Sequence, residues 1–323
     1  MIAFLYPGQG AQHAGMLANL PDTAATRRTL AEAAELLGPI DELDTAASLA
    51  STTNAQLALL ISGVAMARTL DDDISPDIVA GHSLGAFAAA VRAGVLTFAE
   101  AVAAVRLRGD AMAQACASGQ WGMAALTGLR PRAVRDTIDG KAGEDQLWVA
   151  NINAIDQVVL GGTVDALELA RRAAERAGAR RFEMLDVAVA SHGPLQGGTA
   201  RVVGQYLSTI PRREQQVAYM TNVGARRIRN DSAAVLDDLA AAVAHPVRWF
   251  DIVRLLPELG VVATVEMPPG HVLSRLVTAT TPAVSAFSMS DTGLPSVIAR
   301  LRSLLVYAVP QPEHGVEDLL GPT

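Results

Sequence analysis

One segment limits the folds open to this chain: an apolar strand that passes through a glycine-bounded turn directly into a helix. The segment covers residues 77–90, and its turn reads G-H-S-L-G at residues 81–85. The two glycines remove Cβ atoms where strand and helix crowd together, so the backbone of Ser83 can be strained and its hydroxyl exposed. A G-x-S-x-G turn in this setting is typical of a nucleophile elbow and predicts Ser83 as a nucleophile. In the alternative interpretation, Ser83 only caps the helix.

Two backbone N–H groups are candidates for an oxyanion hole. The helix that follows the turn directs free N–H groups, first that of Leu84, toward the point where an oxyanion would form. The first predicted strand, residues 2–6, ends in the loop P-G-Q-G-A-Q at residues 7–12. In a parallel sheet this loop lies at the same edge as Ser83, so the N–H of Gln9 would supply a second donor. A tight strand-to-helix connection without that role is the alternative.

Composition excludes several classes of protein. The chain has 323 residues, half of them hydrophobic, and a net charge of -7. That length suits an α/β unit with an inserted subdomain, and the acidic charge argues against nucleic acid or an anionic membrane as partner. The single cysteine, Cys116, and the lack of a leader or of a long apolar run predict a cytoplasmic protein. The histidines lack the spacing of metal ligands, so no metal site is predicted. The sequence also lacks a glycine-rich phosphate-binding loop, so no cofactor is predicted.

The order of predicted elements divides the chain into an α/β core with an insertion. Residues 122–188 are expected to form β-α-β-β-α-β, the split unit of a ferredoxin-like subdomain. The core comprises residues 1–121 and 189–309, and the polar tail at 310–323 is expected to be loose. Outside the insertion we predict further strands at 217–221, 261–266 and 284–287, a helix capped by Thr97 and Glu100 that runs to about Cys116, and a last helix at 295–308.

Two side chains complete the predicted chemistry. His192 lies in a loop after the insertion, where it can act as the base that a serine needs, or can be an ordinary surface-loop histidine. Arg108 lies in an apolar helical stretch and needs an anionic partner if it is buried. A guanidinium matches a carboxylate in a bidentate pair. An exposed Arg108 is the equal alternative.

Together these segments resemble the malonyl-CoA:acyl-carrier-protein transacylase family along nearly the whole chain. The matching segments are residues 7–12, 81–85, 108–109, 151–159, 191–192, 246–249 and 266–273. The resemblance implies an α/β-hydrolase-like core with a ferredoxin-like subdomain. It also implies Ser83 as the acylated nucleophile, His192 as its base and Arg108 as the partner of the malonyl carboxylate. Further residues match pocket positions of the family: His82, Met112, Asn151 and Ser191.

Departures from the fatty-acid transacylases make the chain most similar to one branch of the family. Ala86-Phe87 stands where those enzymes read E-Y, Pro268-Pro269 stands where they read G-P, and the stretch between Gln12 and Thr53 is short. These features resemble the epsilon (transacylase) subunit of malonate decarboxylase. That resemblance implies malonyl-CoA, a carrier protein with a CoA-derived prosthetic arm and other malonate decarboxylase subunits as partners.

Three alternatives to the malonate decarboxylase assignment remain open. The first is the malonyl-CoA:acyl-carrier-protein transacylase of fatty-acid synthesis, which uses the same pocket. The others, from different classes, are a serine esterase and a non-catalytic subunit that binds an acyl thioester. Ala242 occupies a position that is commonly glutamine in the family. The group that orients His192 is therefore not identified by the sequence.

Overall fold

The computed structural model describes residues 1–71, 73–187 and 189–307. The strands are β1 Ile2–Tyr6, β2 Ile78–Gly81, β3 Trp121–Thr127, β4 Leu147–Ala154, β5 Gln157–Thr163, β6 Arg181–Met184, β7 Ala218–Met220, β8 Arg227–Ile228, β9 Ala263–Glu266 and β10 Ser285–Ser288. The α-helices are α1 Ala24–Leu37, α2 Ile40–Leu43, α3 Ala46–Leu49, α4 Thr52–Leu70, α5 Gly85–Arg92, α6 Phe98–Cys116, α7 Pro131–Ile138, α8 Val164–Arg176, α9 Gly197–Ser208, α10 Ser232–Ala241, α11 Trp249–Glu258, α12 Val272–Thr280, α13 Met289–Thr292 and α14 Leu294–Tyr307.

The larger sheet has six strands in the order β10-β9-β1-β2-β7-β8. All of its pairs are parallel except β7 with β8. The side chains of β1 alternate between two apolar clusters, with Phe4 and Tyr6 in one and Ala3 and Leu5 in the other. Helices therefore cover both faces of the sheet, as expected for a parallel sheet made of continuous apolar runs. The carboxyl ends of β1, β2, β7 and β9 meet at one edge.

The smaller sheet has four antiparallel strands in the order β4-β5-β3-β6. With α7 and α8 between its strands, this is the predicted β-α-β-β-α-β arrangement, and the predicted α/β fold class is confirmed. β5 extends to Thr163, because Gly161 and Gly162 pair with β3 and β4. A Cβ on Gly161 would lie 2.6 Å from the Trp148 indole nitrogen, so the extension requires glycine there. The division at residues 122 and 188 stays a prediction.

Several predicted boundaries shift where tertiary contacts compete with strand pairing. The strand predicted at 261–266 begins at Ala263, because the Val261 N–H donates to Leu256 O at the end of α11. The strands predicted at 217–221 and 284–287 are Ala218–Met220 and Ser285–Ser288. The capping box of α6 is confirmed, with Thr97 and Glu100 bonded to each other's backbone N–H groups.

The last predicted helix, 295–308, begins one residue earlier, at Leu294. The tail predicted at 310–323 lies outside the described residues. Within the described part of the chain, no helix has both the length and the apolar character needed to span a membrane.

Candidate active site

The turn after β2 has the strained geometry that the sequence predicts. Ser83 has a φ of 53°, in the left-handed region that residues with a side chain rarely occupy. A Cβ on Gly81 would lie 2.0 Å from the carbonyl carbon of Gly85, and one on Gly85 would lie 2.1 Å from Tyr6 O. Strand, turn and helix can approach this closely only with glycine at both positions.

His192 faces Ser83 across the site. Its Nδ1 donates to Ala242 O at 2.6 Å, so the neutral ring presents Nε2 to the Ser83 hydroxyl, which donates to it at 2.7 Å. The backbone of His192 is itself held, since its N–H donates to Val243 O at 2.9 Å and its φ is 60°. The partner that the sequence did not identify is therefore a backbone carbonyl, which a change of side chain at Ala242 does not remove.

The imidazole of His192 is 2% exposed, and its electrostatics favour the neutral form. Burial, reinforced by the nearby charge of Arg108, lowers the pKa of His192 to about 3. Both effects penalise the protonated ring. His192 is thus present as a base throughout the neutral pH range.

Arg108 is buried, at 3% exposure, and the alternative of an exposed arginine is wrong. Its Nη2 donates to Ser83 Oγ at 3.1 Å and its Nη1 donates to Gln56 Oε1 at 2.5 Å. Among the described residues it has no ion-pair partner, and burial lowers the pKa of its guanidinium to about 10. A buried cation of this kind is costly unless an anion joins it.

The two predicted oxyanion donors lie on adjacent loops. Gln9 and Ser83 line the same cavity, and a Cβ on Gly8 would lie 2.6 Å from His82 O. The Gln9 side chain is held by the Thr52 hydroxyl, which donates to its Oε1 at 3.0 Å. Among the hydrogen bonds of the described residues, neither the Gln9 N–H nor the Leu84 N–H has an acceptor. Both N–H groups are therefore available to a ligand.

A cavity of about 70 Å³ joins these groups. Its lining includes every predicted site residue except Leu84, namely Gln9, His82, Ser83, Arg108, Met112, Asn151, Ser191 and His192. Asn151 Oδ1 is buried and has no hydrogen-bond partner among the described residues. His82 Nε2 lies 3.1 Å from Asn153 Oδ1, and burial lowers its pKa. The structure thus brings the predicted residues together in one small pocket.

Sequence reasoning missed several residues of the site. The apolar wall contains Met123, Leu185, Val187 and Val189, which carry no chemical signature. Gln56, fully buried on α4, holds the guanidinium of Arg108. A polar side chain in an apolar helix is the signal that singled out Arg108, and it could have found Gln56 as well. Asn222, also fully buried, follows β7 and contacts the turn at Ser83.

Comparison with known proteins agrees with this arrangement. Residues 3–296 match the acyl transferase domain family. The malonyl CoA-acyl carrier protein transacylase of Bacillus subtilis is 35% identical over 298 residues, which are 90% of this chain and 93% of that protein. The Escherichia coli K12 protein of the same name is 33% identical, over 92% of this chain and 97% of its own length.

Solved structures give the same result. The acyl carrier protein S-malonyltransferase of Vibrio cholerae superposes with a TM-score of 0.86 at 33% identity, covering 93% of this chain and 99% of its own. A malonyl-transacylase in complex with its type II PKS acyl-carrier protein superposes with a TM-score of 0.87 at 32% identity, covering 94% and 99% of the two chains. The family match, the relatives and the shared fold agree, and the chain belongs to the acyl transferase domain family and is an acyltransferase.

Proposed function

We propose that this acyltransferase moves a malonyl group from malonyl-CoA to the thiol of an acyl carrier protein through a malonyl-serine at Ser83. The observation that carries the proposal is the buried guanidinium of Arg108, which lies against Ser83 Oγ with no carboxylate partner among the described residues. An acyl group with a free carboxylate supplies that missing anion. The names of the relatives and structural neighbours support the same substrate.

The proposed reaction has two half-reactions at one site. In the first, Ser83 Oγ attacks the thioester carbonyl of malonyl-CoA while its proton passes to His192 Nε2. The N–H groups of Gln9 and Leu84 hold the tetrahedral oxyanion, and the C–S bond then breaks as His192 returns the proton to the CoA thiolate. In the second half-reaction the carrier thiol loses its proton to His192 and attacks the carbonyl of the acyl-serine. The bond between Ser83 Oγ and the acyl carbon then breaks, His192 returns the proton to Ser83 Oγ, and the malonyl thioester of the carrier leaves. The sequence of steps regenerates Ser83 and His192.

Arg108 sets the preference for a charged acyl group in this scheme. A malonyl carboxylate pairs with the guanidinium, whereas an acetyl group leaves a buried cation without an anion. The contact between Arg108 Nη2 and Ser83 Oγ supports this pairing, because the guanidinium lies within the length of a three-carbon diacid from the nucleophile. His82, Met112, Asn151 and Ser191 then form the walls that enclose the acyl group.

For the acceptor we propose a carrier protein of the fatty-acid-synthesis type. The comparisons fit this alternative better than the malonate decarboxylase assignment, because the relatives are themselves malonyl CoA-acyl carrier protein transacylases. One structural neighbour is a malonyl-transacylase in complex with its type II PKS acyl-carrier protein, which supports an acyl carrier protein as the acceptor without distinguishing the pathway. The comparisons contain no support for other malonate decarboxylase subunits as partners.

Intact-mass spectrometry after mixing with malonyl-CoA tests the proposal. Wild type is expected to gain one malonyl group and Ser83→Ala none. Arg108→Ala should lose malonyl transfer by about 100-fold or more while acetyl transfer is retained or increased, because the lost interaction is a buried charge-assisted pair. Arg106→Ala is the matched control, since Arg106 is exposed on the same helix and should leave the preference unchanged.

Three results would contradict the assignment. An unchanged preference for malonyl in Arg108→Ala would remove the carboxylate clamp. Release of free malonate as the main product, with a carrier protein present, would favour an esterase. No adduct on wild type, or an adduct that survives in Ser83→Ala, would favour a non-catalytic binding subunit.

A further inference from the structure

The backbone around Ser83 is held by a side chain from a neighbouring strand end. Asn222 lies two residues after β7, which pairs with β2 in the sheet. Its Oδ1 accepts the N–H of Ser83 at 2.9 Å, and its Nδ2 donates to Gly81 O at 2.9 Å. One amide therefore bonds the backbone on both sides of His82, across the sharpest part of the turn.

Asn222 is fixed in turn by a buried carboxylate. Asp238, on α10 and 7% exposed, accepts the Asn222 N–H at 2.9 Å through Oδ2 and the Val223 N–H at 3.1 Å through Oδ1. The Tyr219 hydroxyl donates to the same Oδ2 at 3.0 Å. The Asn222 carbonyl is held as well, because it accepts the Arg248 N–H at 2.9 Å. The loop that presents the Asn222 amide is thus bonded before and after that residue.

We propose that Asn222 is a positioning residue for the Ser83 nucleophile and that Asp238 keeps Asn222 in place. Ser83 adopts a left-handed backbone that a residue with a side chain rarely occupies, and Asn222 Oδ1 accepts its N–H in that geometry. Without it, the turn can relax and carry Ser83 Oγ away from His192 Nε2, which now lies 2.7 Å from it. Reaction rates depend steeply on such placement.

The same contact assigns the oxyanion donors. Because Asn222 Oδ1 occupies the Ser83 N–H, that group is not free to bind an oxyanion. The next N–H along the chain, that of Leu84, is the one left to a ligand at the start of α5. Asn222 therefore holds the nucleophile and leaves the oxyanion hole to Leu84 and Gln9. This inference rests on the proposed function only in taking Ser83 as the nucleophile.

The test compares two reactions at Ser83 in Asn222→Ala. One is acylation by malonyl-CoA, and the other is sulfonylation by phenylmethylsulfonyl fluoride, a neutral probe that does not use the arginine clamp. Both rate constants are expected to fall at least about tenfold, while the KM for malonyl-CoA stays within about twofold, because the binding groups are untouched. In Arg108→Ala, by contrast, malonyl acylation should slow much more than sulfonylation, because only the malonyl group uses the arginine clamp.

Gln215→Ala is the matched structural control. Gln215 is a buried amide before the same strand, where its Nε2 donates to Val217 O and Ile228 O, and it is not bonded to the Ser83 turn. It should lower the melting temperature about as much as Asn222→Ala and leave both Ser83 rates unchanged. Equal losses of rate in the two variants would mean that Asn222 acts only on stability, and wild-type rates in a folded Asn222→Ala would overturn the proposal.

Asp238→Asn covers the case in which Asn222→Ala does not fold. This substitution keeps the size of the side chain but replaces one carboxylate oxygen with an NH₂ group. The oxygens of Asp238 accept from donors of Asn222, Val223 and Tyr219, so at least one of these hydrogen bonds is lost. Both Ser83 rates are expected to fall severalfold, and unchanged rates would overturn the proposal. If wild type is sulfonylated but never malonylated, the proposed substrate fails and the positioning role is still measured by the sulfonyl fluoride.

Discussion

Two neighbours set the orientation and the protonation state of His192, the proposed base. Its Nδ1 faces a carbonyl and not a carboxylate, so no negative charge favours the protonated ring. Burial and the charge of Arg108 both lower the pKa of His192, to about 3. The arginine that is proposed to bind the substrate carboxylate therefore also keeps the base deprotonated.

The pH dependence of Ser83 sulfonylation tests this coupling. In wild type the rate is expected to stay level from pH 8 down to about pH 5, because the base is already deprotonated there. Arg108→Met removes the repelling charge, so the pKa of His192 rises and the acidic fall in rate moves to higher pH. Arg106→Met should leave the profile unchanged. A wild-type rate that halves near pH 6.5 would show an ordinary, unshifted histidine.

At the scale of elements, the small sheet supports the loop that carries the base. Trp148 on β4 donates from its indole nitrogen to Ser191 O at 2.9 Å. A Cβ on Gly193 would lie 2.2 Å from the same indole. The residue between them, His192, has a left-handed backbone. The packing of β4 against this loop thus contributes to the orientation of the imidazole.

Gly193→Ala should separate the indole from the loop and disturb His192. We expect Ser83 acylation to slow by about 10-fold to 100-fold in a protein that stays folded. The Trp148 ring is rigid, so the added methyl group should displace the loop and move the His192 imidazole relative to Ser83. Gly197→Ala is the control, because a Cβ there meets nothing within 4 Å and the position starts a helix. Circular dichroism and intact-mass kinetics measure fold and rate. Equal rates in the two variants would contradict a role for the Trp148 contact.

At the scale of the whole molecule, the pocket cannot select the carrier protein. In the proposed reaction the acyl group and the thiol are the same for either type of carrier, so we expect discrimination to come from the outer surface of the enzyme. The alignments with the Bacillus subtilis and Escherichia coli relatives cover most of this chain and most of each relative. The similarity therefore extends beyond the pocket. The proposed carrier of fatty-acid synthesis therefore rests on similarity to malonyl CoA-acyl carrier protein transacylases along most of the chain.

Malonyl loading of two purified carriers tests that choice. The kcat/KM for the fatty-acid carrier is expected to exceed that for the malonate decarboxylase carrier by about tenfold or more. The two carriers present different surfaces, so the free energies of their complexes with the enzyme differ. Free pantetheine serves as a control acceptor, because it carries the thiol without a protein surface and so measures the contribution of the pocket alone. A preference for the malonate decarboxylase carrier would restore the assignment made from Ala86, Phe87 and the Pro268-Pro269 pair.

Features that depend on neighbours along the chain could be predicted from the amino-acid pattern alone. Turn chemistry at residues 81–85 predicted the strained Ser83, apolar runs predicted the parallel strands, and a capping box placed the start of α6. Element order was enough to predict the four-stranded sheet. These features follow from the steric limits of the backbone and from the spacing of apolar residues along a helix or strand. Both act over a few residues.

Which distant groups meet depends on how the helices and strands pack in the folded protein. His192 and Ser83 are 109 residues apart, and the carbonyl that orients the imidazole, at Ala242, lies a further 50 residues along the chain. A polar side chain in an apolar helix could single out Gln56, but no local pattern predicts that it contacts Arg108 or that Asn222 contacts the turn at Ser83. Both contacts arise because the sheet order places β7 beside β2 and α4 packs on α6. Such contacts are set by packing between elements, and a sequence pattern with a period of two or four residues carries no record of them.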